Sequence, residues 1–319
     1  MHTFFLLLAI LLTGLVAGGG AAVLGTLPPG GRRPLALLVL SSPLGLLGFG
    51  AYHVIPLFWM ECSPLTGWDR VAVIGLLSAM GAVPAGAVVV NSVRLLLVER
   101  VLTSCLPLDH EPLRSRLSSL ALRHGCAVPN IRLLETDAPL AVAGGLRQPA
   151  VVLSTWMIEQ LDADELDAVF CHELAHTGRA DYVVRWLSRL LRDATVYLPS
   201  SWYALSVVET DEELHADAQA VRVTGHPLAM ASALGKVWHG ALGAPAMLQL
   251  GSLAGYAGGG PTLLETRLTR LLNGTADHQA SMASRGFATL GIFTLVGLAP
   301  RLLLVGAAAL PLICMVRPD

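Results

Sequence analysis

The 319-residue sequence has few charged side chains: Asp, Glu, Lys and Arg make up 14% of it, whereas hydrophobic residues make up 54%. The mean hydropathy is +0.61. Because soluble domains carry roughly 25% charged residues, this scarcity of charge excludes a routine soluble protein. The net charge of −2 lacks the basic excess of a nucleic-acid-binding protein, so we expect no direct nucleic-acid partner.

Cysteine is scarce as well, and no two cysteines are spaced as CxxC. The five are Cys62, Cys105, Cys126, Cys171 and Cys314. This pattern indicates neither a cysteine zinc cluster nor a disulfide framework. Cys171 adjoins a histidine of the motif described below, but neighbouring helical positions point in different directions. We therefore interpret Cys171 as a core residue.

Basic residues are absent from the N-terminal segment MHTFF, which argues against a cleaved signal peptide and favours a retained membrane span. Three apolar stretches in the first third of the chain are long enough to cross a bilayer. They are residues 4–25, 35–58 and 71–93. A fourth stretch, 286–310, contains Arg301 after Pro300. It is either one tilted span or a span followed by an interfacial piece.

Arginines lie unevenly around these stretches. Those that follow the first and third stretches are Arg32, Arg33, Arg94 and Arg100. The loop after the second stretch carries one arginine and two acidic residues. Because basic residues favour the cytoplasmic side, we predict a multi-pass protein of the cell membrane. Its N-terminus lies outside, and residues 26–34 and 94–285 lie in the cytoplasm.

The segment FCHELAHTGRAD (170–181) carries two histidines four residues apart. On an α-helix His172 and His176 lie on one face, so both imidazoles can bind the same ion. Glu173 lies beside them and can hold a water molecule that the metal polarises. This is the HExxH arrangement of zinc peptidases. A solvated helix face with two chance histidines remains the alternative until a third ligand is found.

The residues before the histidines predict a helix. Asp162 and Glu165 are typical of a capping box, and Asp164 adds negative charge to the first turn. Apolar residues then recur at helical spacing; they are Leu166, Val169, Phe170 and Leu174. The ligands are therefore expected on a rigid, largely buried segment, as a catalytic metal requires.

A third ligand is expected because catalytic zinc takes three protein ligands and one water. In VVETDEELHADAQAVRVTG (207–225), Glu213 and Asp217 are four residues apart and share a helix face. Glu213 is the predicted ligand, with Glu209 and Glu212 as alternatives. Asp217 is predicted to accept the outer N–H of a zinc histidine, preferably His172, and to orient its ring.

Four motifs follow one another from residue 172 to 217. The first motif is His172 to His176, and the second is Arg179 with Asp181. The third is Tyr197, Leu198 and Pro199 with Trp202, and the fourth is Glu213 to Asp217. In this order they resemble the BlaR/MecR-type membrane metallopeptidases of bacteria. The segment TGRAD (177–181) is less basic than that family's arginine run. HtpX/Ste-type zinc proteases share the first and last motifs and are the competing resemblance.

The resemblance extends from about residue 112 to 274. Residues 140–169 are similar to the family's two strands and helix before the zinc helix, and 265–274 to its arginine-rich helix. It implies a mainly α, integral membrane protein with an α+β, gluzincin-like zincin domain. We expect a transmembrane region at 1–100, a zinc metallopeptidase domain at 105–280 and a C-terminal anchor at 286–316.

The expected cofactor is one Zn²⁺ per chain, which lowers the pKa of its water and polarises the scissile carbonyl. Glu173 would take the proton of that water and pass it to the leaving amine. An extended substrate would add to a sheet edge, formed by residues 140–145 or 150–154. Ala143 and Gly144 are the predicted substrate-binding residues.

The remaining histidines are weaker candidates. His226 and His239 could stabilise an oxyanion, His215 faces away from the predicted ligands, and His53 lies in or beside a predicted span. The Gly-rich segment 240–261 is predicted to be a mobile loop or lid.

Three functions agree with these patterns. The first is a membrane endopeptidase for a cytoplasmic protein, such as the transcriptional repressors that the BlaR/MecR resemblance implies. The second is an HtpX-like quality-control protease of membrane proteins. The third is a non-enzymatic zinc sensor, against which Glu173 argues because a structural zinc site needs no base. We expect no penicillin-binding sensor domain, since few residues follow the last apolar stretch. The expected partners are a protein or peptide substrate and the lipid bilayer.

Overall fold

The computed structural model describes residues 2–27, 32–59, 67–145, 149–242 and 260–273. Within them the chain is mainly helical, with ten helices and one four-stranded sheet. This agrees with the predicted fold class. The expected span at 286–310, most of the Gly-rich segment 240–261, and Cys62 and Cys314 lie outside the described residues.

The first three helices are α1 (His2–Thr26), α2 (Arg33–Trp59) and α3 (Gly67–Ser104). Each contains a segment that is long and apolar enough to cross a membrane, as the sequence predicts. The segments are Leu6–Thr26, Arg33–Tyr52 and Arg70–Ser104. The third helix continues well beyond the predicted end of its span, because arginines end an apolar run without breaking a helix.

The rest of the described chain is α+β. After α3 come β1 (Leu106–Pro107), α4 (Glu111–His124), β2 (Asn130–Leu134), β3 (Ala141–Gly144), β4 (Ala150–Ser154), α5 (Thr155–Gln160), α6 (Ala163–Ala175), α7 (Arg179–Ala194), α8 (Pro199–Thr224), α9 (Pro227–Leu242) and α10 (Gly260–Asn273). The two strands and helix predicted before the zinc helix correspond to β3, β4 and α5, and α6 is the zinc helix itself.

The sheet has the strand order β1-β2-β4-β3. β2 and β4 are parallel, with Ile131 opposite Val151, while β3 runs antiparallel to β4, with Ala143 opposite Val151. Among the described strands, β3 therefore forms one edge of the sheet. β4 is paired on both sides and its residues are buried, so the alternative substrate edge at 150–154 is wrong.

Helix α6 begins at the capping box that the sequence predicts. Asp162 accepts hydrogen bonds from the backbone N–H groups of Asp164 and Glu165, and the Glu165 side chain accepts one from the Asp162 N–H. Glu165 also accepts hydrogen bonds from Ser232 and Lys236 of α9, both at 2.6 Å. The start of α6 is thus held both locally and by a neighbouring helix.

The described residues form two compact units, whose boundaries fall within α3, α7 and α8. In the first unit α1 packs on α2, and Leu24 and Leu40 share a buried cluster with Ala204 and Val208 of α8. In the second unit the sheet and helices α4, α6 and α9 enclose a core that includes Phe170. All the residues of the candidate metal centre belong to this second unit.

Candidate metal centre

Helix α6 presents His172 in its last turn, and His176 follows as its C-cap residue with right-handed helical backbone angles. The two rings therefore stay on one face, and their Nε2 atoms lie 3.3 Å apart. Glu213 of α8 completes the group. Its Oε2 is 3.3 Å from His172 Nε2, and its Oε1 is 3.6 Å from His176 Nε2.

One potential ligand atom from each of His172, His176 and Glu213 lies within 4.8 Å of the others. Among the described residues, neither Glu209 nor Glu212 belongs to such a group. The three side chains are buried, with residue exposures of 0%, 7% and 5%. Two imidazole nitrogens and a carboxylate oxygen form a ligand set that suits zinc. The donor set therefore fits the metal that the sequence predicts.

Asp217 lies behind His172, where the sequence predicts it. Its Oδ1 is 2.9 Å from His172 Nδ1. Arg267 of α10 donates two hydrogen bonds to the same carboxylate, at 2.8 and 2.7 Å, and its Nη1 is 3.0 Å from Glu213 Oε2. Arg267 is only 1% exposed, so one buried guanidinium holds the carboxylates of both acidic residues.

The charged groups around His172 favour the protonated, positively charged form of its ring. Burial alone would lower the pKa of His172, but the hydrogen bonds to Asp217 and Glu213 outweigh burial and raise that pKa to about 9. Burial would likewise raise the pKa of Asp217, but Arg267 and His172 lower it to about 2. Asp217 therefore stays ionised at neutral pH, as an acceptor for the His172 N–H must be.

His176 has a different neighbour. Nη2 of Arg185, on α7, lies 2.7 Å from His176 Nδ1, and the same guanidinium donates from Nε to Glu212 Oε2 at 3.1 Å. Burial and the charge of Arg185 hold the pKa of His176 well below its ordinary value. A part-buried ion pair, Arg185 with Glu212, thus adjoins the centre.

Glu173 is 4% exposed and accepts a hydrogen bond from the Ala143 N–H at 2.8 Å. The edge strand β3 therefore holds the carboxylate in position. Burial raises the pKa of Glu173 to about 7, and the negative charge of Glu213 adds to that effect. A carboxyl group with a pKa near the working pH is suited to act as a general base and then as an acid.

Different structural constraints favour glycine at positions 144 and 145, which follow Ala143. A Cβ atom on Gly144 would lie 2.9 Å from Leu102 Cδ1 of α3, so this position accepts no larger residue without a shift. Gly145 has a φ of 105°, a backbone conformation that favours glycine. Helix packing and a sharp turn therefore account for both glycines.

Among the described residues, the other histidine candidates do not belong to the ligand group. His215, His226 and His239 are exposed, and His215 contacts Gln219. Tyr197 and Trp202 belong to the first compact unit. The side chains of His53, Arg179 and Asp181 lie outside what the structure describes.

Sequence reasoning missed Arg185 and Arg267. The only signal for Arg267 was its place in the arginine-rich segment 265–274. Arg185 is one of several arginines of α7, and nothing in the local pattern distinguishes it from Arg189 or Arg192. Both assignments required the three-dimensional structure.

We expect Asp217→Asn to weaken zinc binding by roughly 10–100-fold, because an amide is a poorer acceptor for the His172 N–H. Competition with a chelator on the purified protein measures this change. Glu209→Gln, on the same helix but outside the ligand group, is the matched control and should bind zinc normally. Unchanged affinity in Asp217→Asn would remove Asp217 from the centre.

Comparison with known proteins agrees with this geometry. The model of the family described as BlaR1 peptidase M56 matches residues 63–228, which is more than half of the chain. The match includes the histidines, Glu213 and Asp217.

Individual relatives are more distant. Over 157 residues the chain is 26% identical to the Protease HtpX of Legionella pneumophila strain Corby; the match covers 38% of this chain and 56% of that protein. A Protease HtpX homolog of Paraburkholderia phytofirmans is 27% identical over 159 residues, with coverages of 40% and 55%. One of Thermoanaerobacter pseudethanolicus is 30% identical over 108 residues, with coverages of 31% and 36%. The matched segments span 36–56% of the length of these curated relatives.

Proposed function

Since the chain belongs to the BlaR1 peptidase M56 family, we propose that it is a zinc-dependent endopeptidase anchored in the membrane. His172, His176 and Glu213 hold the ion, and Glu173 is the catalytic base. The observation that carries this proposal is the convergence of three buried ligand atoms within 4.8 Å of one another. The carboxylate of Glu173 lies beside this group but is not one of its ligands.

The residues divide the chemistry between them. A zinc ion at this position would act as a Lewis acid and lower the pKa of a water molecule. Glu173 takes the proton from the attacking water and transfers it to the leaving amine. The Ala143 N–H keeps the carboxylate in place, while Asp217 and Arg267 fix the orientation of His172 and the charge of the ligand set.

Strand β3 is the proposed substrate-binding edge. It is an edge of the sheet, and it contacts Glu173 through Ala143. An extended peptide that pairs with Ala143 and Gly144 would therefore place its backbone beside the base. Such pairing requires the substrate segment to be unfolded, which favours cleavage in loops, termini and damaged regions.

The proposed substrate is a cytoplasmic protein, and a transcriptional repressor is the specific candidate. The similarity to proteins named Protease HtpX favours a second candidate, quality control of membrane proteins. A comparison of cleavage products in cells that express the wild-type protein or Glu173→Gln separates the two. One cut in one regulator supports the first candidate, whereas many cuts in misfolded membrane proteins support the second.

The proposed organisation is a membrane region at 1–100, a cytoplasmic zinc domain at 105–280 and a C-terminal anchor at 286–316. The three apolar helices support the membrane region, and the arginine asymmetry supports the cytoplasmic side.

We expect single cysteines introduced at 26–34 or 255–260, in a chain without its native cysteines, to resist a membrane-impermeant reagent in intact cells. Both segments should react once the cells are opened, which is the control for accessibility. Labelling of both segments from outside would invert the topology and exclude every cytoplasmic substrate.

A further inference from the structure

The two histidines of the metal centre each have an arginine–carboxylate pair behind the ring, but in opposite order. The ring of His172 faces the carboxylate of its pair, with Asp217 Oδ1 2.9 Å from Nδ1. The ring of His176 faces the guanidinium of its pair, with Arg185 Nη2 2.7 Å from Nδ1. The carboxylate of that second pair, Glu212, contacts Nε of the same guanidinium at 3.1 Å and is 7% exposed.

This order determines which nitrogen of His176 carries a proton. A guanidinium has only donors, so His176 Nδ1 must accept the hydrogen bond from Arg185. A neutral ring in this contact then carries its proton on Nε2. That atom faces Glu213 and His172 in the centre, and a protonated Nε2 cannot bind a metal. The contact with Arg185 and metal binding through Nε2 therefore exclude each other.

Metal binding also creates a need for an acceptor. When Nε2 of His176 binds an ion, the ring proton is on Nδ1, and a metal-binding histidine normally donates this proton to a carboxylate or carbonyl. Glu212 already accepts a hydrogen bond from Arg185 at 3.1 Å. Glu212 is thus linked to His176 through one guanidinium, whereas Asp217 contacts the His172 ring directly.

We propose that Arg185 and Glu212 set the metal affinity of the centre through His176, in opposite directions. The guanidinium of Arg185 competes with the ion, because it holds His176 in the tautomer that cannot bind and adds a positive charge nearby. The carboxylate of Glu212 favours the ion through its negative charge, and it becomes the acceptor for the Nδ1 proton once Arg185 gives up its contact with the ring. When the ion binds, the proton of the His176 ring moves from Nε2 to Nδ1. The ring stays neutral, and its number of protons does not change. This inference rests on the proposed function only for the identity of the three ligands.

The test is zinc affinity, measured without any peptide substrate by competition with a chromogenic chelator on the full chain in detergent. We expect Arg185→Met to bind zinc about tenfold more tightly and Glu212→Gln to bind it roughly 10–100-fold more weakly. Arg222→Met removes the same charge from an exposed position of α8, and its affinity should match the wild type. Cobalt substitution gives a second readout, because the visible spectrum should change in Glu212→Gln and not in Arg222→Met.

The double variant, Arg185→Met with Glu212→Gln, removes both charges of this ion pair and should bind zinc between the two single variants. It is the decisive measurement if a single variant fails to fold. An affinity outside the range from about tenfold tighter to about 100-fold weaker than wild type would overturn the proposal. Weaker binding by Arg185→Met would also overturn it, because Arg185 would then support His176 instead of competing with the ion.

Failure of this inference is distinct from failure of the proposed function. A wild-type protein that binds no zinc would contradict the proposed function itself. A wild-type protein that binds zinc, together with single variants of unchanged affinity, would contradict only the opposing roles of Arg185 and Glu212.

Discussion

Glu173→Gln is expected to abolish peptide-bond hydrolysis while zinc stays bound. The amide keeps the shape of the side chain and can still contact the Ala143 N–H through its oxygen, but it cannot take a proton from water. Loss of a general base costs about 10²–10⁴-fold in rate. The measurement is cleavage of an unstructured protein by the purified full chain, with the zinc content determined on the same samples.

The zinc content makes this result specific. An inactive variant that still binds one zinc per chain has lost the base and not the metal centre. Glu159→Gln, which changes an exposed carboxylate of the neighbouring helix α5, should retain full activity. If Glu173→Gln were as active as the wild type, the base would have to be another group. Such activity would also contradict the third function, zinc binding without turnover.

Glu213→Ala should lose both zinc and hydrolysis. The substitution removes one of three protein ligands and one of the two carboxylates described beside the buried Arg267. His172→Ala and His176→Ala should have the same effect on zinc. Metal analysis after exhaustive dialysis measures the loss, and added zinc should not restore activity at micromolar concentration.

Glu209→Gln is the matched control for Glu213→Ala, since it lies one helical turn earlier on α8 and should retain one zinc. Because removal of a buried carboxylate can unfold the chain, Glu213→Gln is the companion variant. It keeps the volume of the side chain but is a poor ligand. Full retention of zinc by Glu213→Gln and Glu213→Ala would exclude Glu213 as a ligand and return Glu212 and Glu209 to consideration.

Much of the arrangement could be predicted because it is local. The capping box at Asp162 and Glu165 determines where α6 begins, and helical spacing then places His172 and His176 on one face. The same spacing places Glu213 and Asp217 on one face of α8. The apolar stretches identify α1, α2 and α3 as candidate membrane helices. Each of these predictions depends on residues within about one or two turns of each other.

The strand order depends on contacts between residues far apart in the sequence, so it could not be predicted from the sequence. Residues 140–145 and 150–154 have similar apolar sequences, and either could have formed the edge. Pairing with β2, which precedes both, places β4 inside the sheet and leaves β3 at the edge. Only this order brings the Ala143 N–H to Glu173, which is the link between the proposed substrate strand and the base.

The sequence by itself determined the family resemblance, the candidate ligands and the helix faces that carry them. Helical periodicity relates residues three or four positions apart, which is why these features could be predicted. The tertiary structure decided which distant cations meet those ligands. Arg267 is 50 residues from Asp217 and Arg185 is 27 residues from Glu212, and no local pattern selects one arginine among several. Helix packing decides which carboxylates these arginines contact. A buried charge is costly unless an opposite charge lies beside it, so the arginines are buried where carboxylates are within reach.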